Sequence, residues 1–548
     1  MSSHTGSDWL GSVFEVRLGP PGHGGFCVAR HEGRVLFVRH GLPGEFVRAV
    51  VTEDRGSFCR ADAVEILEPS ADRIPATCQV SGPGGAGCCD FSFATPEAQR
   101  ALKASVVSEQ LRRLADWEPE FVVEAIPAGL VRPSGLVTPR GTHASAHTPG
   151  RLGGVATGWP AHLRGTPPQD DAARTATITS DTATRGTRTG ADADTAASGA
   201  GSETRAAVRD AQVNAAAAGR GSRTEAMSPS AGAAADAVVA DAPTSGWRSR
   251  VRLVVDAHGN AGVHRYRSTE VIADLRCPQP MAGAMEGIGE RTWTPGADLV
   301  VAVDGDGMRH IVELAPPEEG HGSGRDRSGG REGRRGADRR STTARRAAAH
   351  RARVERVVDG TGQPVQYVSG RRWELSATGF WQPHYGAAQR YSDVVAEWSD
   401  AAPGGLAWDL YCGVGVFAAR LADQVGQTGA VHGVESARTA VAEGRIALTD
   451  QPWVDLSAER VEHWIAEQPA TSPDVVVLDP PRAGAGKDVI NALTERNPGR
   501  IIHIGCDPAS FARDIGLYRA AGYQPSKLRV FDAFPGTHHV ECIALLER

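Results

Sequence analysis

Residues 473–514 read PDVVVLDPPRAGAGKDVINALTERNPGRIIHIGCDPASFARD. Two apolar runs stand in this stretch, Val475–Leu478 and Ile501–Ile504, both short and rich in β-branched residues. Such runs are how strands covered on both faces of a parallel sheet read. The first stops at Asp479-Pro480-Pro481-Arg482, the second at Gly505-Cys506-Asp507-Pro508. In open α/β sheets, ligands and catalytic groups gather at the carboxyl ends of the strands. Asp479 and Cys506 are therefore predicted to face one crevice from neighbouring strands. A thiol on such a loop is a candidate nucleophile, whereas a thiol inside a strand reads as a small buried hydrophobe.

Working outward, Gly379-Phe380-Trp381-Gln382 leads into a helix expected from about Tyr385 to Asp400. Strands and helices then alternate to about residue 525, the pattern of a doubly wound, Rossmann-like α/β domain over 377–548. Its first strand, Leu406–Tyr411, runs into Cys412-Gly413-Val414-Gly415-Val416-Phe417. Glycines at a first strand–helix turn let backbone approach a ligand. A dinucleotide fingerprint would need a third glycine where Ala418 stands, which argues against NAD and for another nucleoside cofactor. The second strand, Ala430–Val434, ends in Glu435. There a carboxylate can accept both ribose hydroxyls; the alternative is an exposed helix cap.

The rest of the chain is less uniform. It has 548 residues, 41% hydrophobic but only 6% aromatic, which predicts several domains and some segments without a core. A net charge of −6 excludes a wholly basic nucleic-acid glove. No secretory signal and no membrane-spanning run of about 18 apolar residues is read, so a cytoplasmic, reducing setting is expected. There the nine cysteines read as catalytic, metal-binding or inert rather than as disulfides. Residues 8–68 carry five short β-rich runs separated by Gly-Pro turns, as in a small OB-like barrel. Such a barrel either binds single-stranded RNA or only packs on its neighbour.

A central α+β domain is expected from 69–134 and 247–376. Residues 135–246 hold a tract, 161–246, with no Phe, Tyr or Trp, and read as a disordered insertion. A second low-complexity insertion spans 317–353, with eleven Arg and three acidic residues between Gly320 and Arg353. It reads as a solvated basic arm able to touch phosphates. Cys78, Cys88 and Cys89, with Cys277 as a distant fourth ligand, invite a 4Fe–4S reading. Adjacent Cys88 and Cys89 fit that poorly, and free thiols are the alternative.

Together these motifs resemble the RNA 5-methyluridine (uracil-5) methyltransferases, class I enzymes that use S-adenosylmethionine, in a form with an amino-terminal TRAM domain. The resemblance runs over Phe380-Trp381-Gln382, DLYCGVGVF at 409–417, GVE at 433–435, DPPRAG at 479–484, GCDPASFARD at 505–514 and DAFPGTHHVECI at 532–543. It implies that Gln382, Tyr411, Glu435 and Asp479 hold the cofactor, that Cys506 is the nucleophile and that Glu541 accepts the proton. RNA is the implied partner, ribosomal more than transfer RNA, and a monomer is expected. The chain departs from the family in carrying Val416 where an Asn is frequent, and Ala86-Gly87-Cys88-Cys89 where cluster-bearing members have C-x-x-C.

Other functions stay open at this level. An adenine or cytosine amino-methyltransferase would share an Asp-Pro-Pro loop but need no cysteine. An RNA-binding factor with a degenerate methyltransferase domain would need neither Cys506 nor Glu541.

Overall fold

Alternating apolar and polar residues let a strand bury one face only, and several such strands hide those faces by curling around one core. The computed structural model describes residues 8–127, 244–317 and 353–548 apart from residue 470. Its first unit has β1 (Val13–Arg17), β2 (Pro21–Gly22), β3 (Phe26–His31), β4 (Arg34–Arg39), β5 (Phe46–Asp54) and β6 (Phe58–Glu68). They form one sheet in the order β1-β5-β6-β4-β3-β2. The inner face buries Leu36, Val38, Val47, Ala49 and Cys59 completely. On the outer face Phe26, Phe37 and Phe58, from three neighbouring strands, stand in a row with ring centroids 4.7 and 5.4 Å apart.

Helix α1 (Pro96–Ala115) begins where Thr95 accepts the amide of Ala98 and Pro96 fills the first turn. It is followed by β7 (Val123–Ala125). Beyond residue 244 the chain builds an antiparallel sheet from β8 (Arg250–Val255), β9 (Ala261–His264), β10 (Val271–Ile272), β11 (Asp298–Val303), β12 (Arg309–Leu314) and β13 (Glu355–Asp359). Asp256 shapes the β8–β9 turn by accepting the amides of His258 and Asn260, each at 2.8 Å. A hairpin of β14 (Val365–Val368) and β15 (Arg371–Glu374) leads on to the last layer. The insertions expected at 135–246 and 317–353 lie, but for a few flanking residues, outside the described residues.

That layer comprises α2 (Ala387–Ser399), β16 (Leu406–Leu410), α3 (Val416–Val425), β17 (Ala430–Glu435), α4 (Arg438–Ala447), β18 (Val454–Ala458) and α5 (Val461–Glu467). It continues through β19 (Val475–Leu478), α6 (Gly486–Glu495), β20 (Arg500–Gly505), α7 (Pro508–Ala520), β21 (Gln524–Asp532) and β22 (Glu541–Glu547). The strand order is β18-β17-β16-β19-β20-β22-β21-β7. Successive residues serve opposite faces. Val475, Val477, Ile502 and Ile504 enter one core, with Phe417 and Leu421. Val476, Leu478 and Ile501 enter the other, with Leu493 and Phe511. Each such burial contributes roughly 1.5–3 kcal/mol, so both runs are held from two sides. The order reverses between β16 and β19, the position where an open sheet leaves a crevice.

The fold departs from the sequence reading at one boundary. Residues 123–125, expected in the central domain, pair in parallel with β21 as the eighth strand of this sheet. Helix α1 lies against α7, where a Cβ on Gly516 would come 2.6 Å from the carbonyl oxygen of Leu114. Three residues are too few to carry a strand signal. Among the described residues no helix is long and apolar enough to cross a membrane.

Candidate active site

The crevice starts at the turn after β16. Tyr411 has φ +63°, an uncommon region for a residue with a side chain, and Gly413 and Gly415 follow at +56° and +83°. A Cβ on Gly415 would crowd a Leu448 methyl at 3.1 Å, and the positive φ there favours glycine. Glu435, at the end of β17, reaches back to this turn. Its carboxylate accepts the amides of Gly413 at 3.3 Å and Ala437 at 2.8 Å. Beneath the turn, fully buried Asp409 accepts the amide of Ala418 at 2.7 Å. Burial pushes its carboxyl well above the usual range.

The Asp479 loop follows β19. Gly484 takes φ +77°, and a Cβ there would come 2.4 Å from a carboxylate oxygen of Asp514. That carboxylate, buried on α7, accepts the amide of Ala485 at 2.7 Å and so pins the loop. Cys506 follows β20, and Asp507 caps α7 by accepting the amides of Ala509 at 3.1 Å and Ser510 at 2.9 Å. Its other oxygen meets His23 of the amino-terminal sheet at 2.9 Å. The antiparallel register of β20 and β22 runs from Arg500 opposite Glu547 to Gly505 opposite Cys542. Cys506 comes just after the last paired residue of β20 and Glu541 just before Cys542 on β22, and the Glu541 charge acts on the Cys506 thiol.

Gln382, Tyr411, Glu435, Asp479, Cys506 and Glu541 line one cleft of about 1170 Å³. Six positions far apart in sequence are thus brought together. Burial raises the Asp479 carboxyl to about 7. Burial, and then the charge of Asp479, push Glu541 well up, against the pull of Arg482. Cys506 is raised to about 12 by burial and by the two carboxylates, again opposed by Arg482. His539 is held near 3, chiefly by burial. Around Cys506 the cleft therefore sets two carboxyl groups, Asp479 and Glu541, that keep protons more readily than usual, and the Arg482 guanidinium opposes them.

Among the other cysteines, Cys27, Cys59, Cys412 and Cys542 are buried. Cys78, Cys88, Cys89 and Cys277 stand apart, because the Cys89 thiol interacts with the other three. Gln279 donates to the Cys89 sulfur at 3.1 Å, and Arg248 lies close enough for the charges of Cys277, Cys88 and Cys89 to act on it. Among the described residues no three His, Cys, Asp or Glu side chains converge on a single-ion position. A cubane does not need that, since each thiolate binds a different iron.

Several contributors carry little signal in sequence. His23 sits in a barrel turn, and Asp514 is visible only as the last letter of a motif. Lys103 and Gln99 are polar residues on a helix and are buried all the same. Tyr391 of α2 is fully buried beneath the cleft, and the charges of Glu541, Asp479 and Cys506 add to burial in raising its hydroxyl.

The chain is also similar to known proteins. A family model described as tRNA (Uracil-5-)-methyltransferase matches residues 365–548, and a TRAM domain model matches residues 10–64. An "Uncharacterized RNA methyltransferase" of Streptomyces avermitilis is 35% identical over 98% of this chain and 99% of its own length. A 23S rRNA (uracil(1939)-C(5))-methyltransferase, RlmD, of Alkalilimnicola ehrlichii is 27% identical over 98% of this chain and 96% of its own. The crystal structure of Pyrococcus abyssi tRNA (uracil-54, C5)-methyltransferase with S-adenosyl-L-homocysteine shares the fold. It has a TM-score of 0.53 at 15% identity and covers 97% of this chain and 100% of that one. The chain belongs to the RNA uracil-5 methyltransferase family.

Proposed function

We propose that the protein transfers a methyl group from S-adenosylmethionine to carbon 5 of a uridine in RNA, ribosomal rather than transfer RNA, through a Cys506–uracil adduct. The observation that supports the reading is that Cys506 and Glu541 line one cleft from the adjacent ends of β20 and β22, close enough for the Glu541 charge to act on the thiol. Amino-group methylation has no use for that pair. The ribosomal preference rests on the relative named for 23S rRNA and on the amino-terminal TRAM unit. The row of Phe26, Phe37 and Phe58 supports RNA contact, since aromatic rows on such barrels stack unpaired bases.

The residues present fit the cofactor. Glu435 ends the second strand facing an open glycine turn, and nothing lies within 4 Å of where a Cβ of Gly413 would stand. Glu435 would take the ribose hydroxyls, and Gln382, Tyr411 and Asp479 the rest. S-adenosylmethionine supplies a methyl group on a positively charged sulfur. The Cys506 thiol gives its proton to water as its sulfur bonds to carbon 6, and the displaced π pair makes carbon 5 nucleophilic toward that methyl. Glu541 as carboxylate then takes the proton from carbon 5. The electrons of that C–H bond restore the double bond and expel the Cys506 thiolate. Arg482 steadies the negative charge, as its opposition to the raised thiol indicates.

Cys89 and the three thiols around it fit a 4Fe–4S cluster by donor set, and Gln279 and Arg248 offer sulfur its usual polar neighbours. Cys78, Cys88, Cys89 and Cys277 would hold it. It would cross-link segments that are distant in sequence, and no step of methyl transfer runs through it.

The test uses RNA and labelled S-adenosylmethionine. Cys506→Ala abolishes methylation. Glu541→Gln accumulates a denaturant-resistant protein–RNA band carrying the labelled methyl, and the double variant loses the band. Methylation by Cys506→Ala would overturn the carbon-5 route and make amino-methylation the leading reading. Wild-type turnover by Glu541→Gln without a band would assign the base elsewhere.

A further inference from the structure

Residues 533–540 join β21 to β22 and end at Glu541. This loop is tied down at alternate positions. Lys103 of α1 places its ammonium 2.5 Å from Asp532 and donates to the carbonyl of Phe534 at 3.1 Å. Gln99, one turn earlier on α1, accepts the amide of Gly536 at 2.7 Å. The carbonyl of Gly536 accepts the amide of Phe91 at 3.0 Å. Asp90 meets His538 at 2.5 Å, and its other oxygen meets Arg39 of β4 at 2.6 Å. Asp532 at the end of β21 and loop positions 534, 536 and 538 are thus held from outside the sheet of β21 by residues 90–103.

The chemistry of these ties is unusual for a loop anchor. The Lys103 side chain has no exposure and that of Asp532 only 4%. Burial pushes the Lys103 ammonium down, and the neighbouring Asp532 charge pulls it back up. A buried ion pair is a poor source of stability, because desolvation offsets most of its attraction. Its strength is geometric, since neither partner can move without leaving a charge unpaired. Gln99 and Lys103 are four residues apart, hence one above the other on α1, and they hold successive segments of the loop. Phe534 and His539 line the cleft beside Glu541. The loop so held therefore forms the wall of the cleft next to Glu541.

We propose that Lys103 and Gln99 are positioning residues for the proton-removal step. They fix the 532–541 loop so that the Glu541 carboxylate faces carbon 5 after methyl transfer, and they take no part in the addition by Cys506. The inference rests on Glu541 being the base. It predicts a split that a general loss of folding would not produce, namely fast methyl transfer with slow release.

The experiment compares the full-length protein with Lys103→Met/Asp532→Asn, which leaves no orphan charge, and with Gln99→Met as a milder second variant. Glu541→Gln is the reference. Single-turnover transfer of labelled methyl to RNA is read alongside the fraction of denaturant-resistant adduct. Expected is a transfer rate within about threefold of wild type, multiple turnover slowed at least tenfold, and an adduct band approaching that of Glu541→Gln. Gln99→Met gives the same pattern more weakly. If Glu541→Gln traps adduct but both α1 variants turn over without it, or lose transfer and release in equal proportion, the positioning role is wrong. If Glu541→Gln itself traps nothing, the base assignment fails instead.

Discussion

Asp507 offers the most quantitative test of how the site is built. One carboxylate oxygen caps α7 and the other meets His23 at 2.9 Å. Burial tends to raise this carboxyl, but the bonds from His23 and Ser510 outweigh it and hold it at about 2 against an ordinary 3.8. That gap corresponds to about 2.5 kcal/mol of stability at neutral pH. An independent count agrees: an N-cap contributes about 1 kcal/mol, and a charge-assisted hydrogen bond about 1.5 kcal/mol or more. Because the folded value is depressed, the contribution is complete above pH 4 and is lost as pH falls toward 2. Asp507→Ala should thus cost about 2.5 kcal/mol at pH 7 and roughly half of that at pH 3, read by urea denaturation of both proteins at both pH values. Cys506 is the preceding residue, so loosening the cap also misplaces the thiol, and a shift near 1 Å costs about 100-fold in turnover. Equal deficits at pH 7 and pH 3 would refute the electrostatic account. An unchanged turnover would refute the link to Cys506.

Two further outcomes concern the amino-terminal half. Phe37→Ala removes the middle ring of the aromatic row and should weaken RNA binding about 5- to 150-fold, the range for one lost base stack, with little change in salt dependence; unaltered affinity in filter binding would exclude the row as an RNA platform. Protein purified without oxygen should contain iron and sulfide that Cys89→Ser abolishes, whereas iron-free, fully active wild-type protein would rule the cluster out.

Much of the site was legible because its residues end strands that announce themselves. Val475–Leu478 and Ile501–Ile504 need partners on both faces, and that need shows in composition alone. Glu541 was harder, since its position beside Cys506 depends on an antiparallel register that no local pattern encodes; the family resemblance supplied it. The thiols mark the opposite case. Adjacent Cys88 and Cys89 argued against a shared centre, yet the fold gathers them with Cys78 and with Cys277 from far along the chain. Lys103 escaped notice because a lysine on an amphipathic helix ordinarily faces water, and only its partner Asp532, close to the other end of the sequence, explains its burial.

The parallel pairing of Val123–Ala125 with β21 limits how this protein can be divided. The segment matching the catalytic family model, 365–548, is not a free-standing piece. Cut there, Val530, Phe531 and Asp532 of β21 would lose their neighbour on one side and show their backbone amides and carbonyls to solvent. A bare edge of that kind invites pairing with a second molecule. Tyr518 and Ile515 on α7 would at the same time lose Val107 and Leu111 of α1 as packing partners. Such a fragment should come out of cells as aggregate, and adding back residues 90–127 on a separate chain is the minimal remedy, with the whole chain remaining the natural unit of engineering.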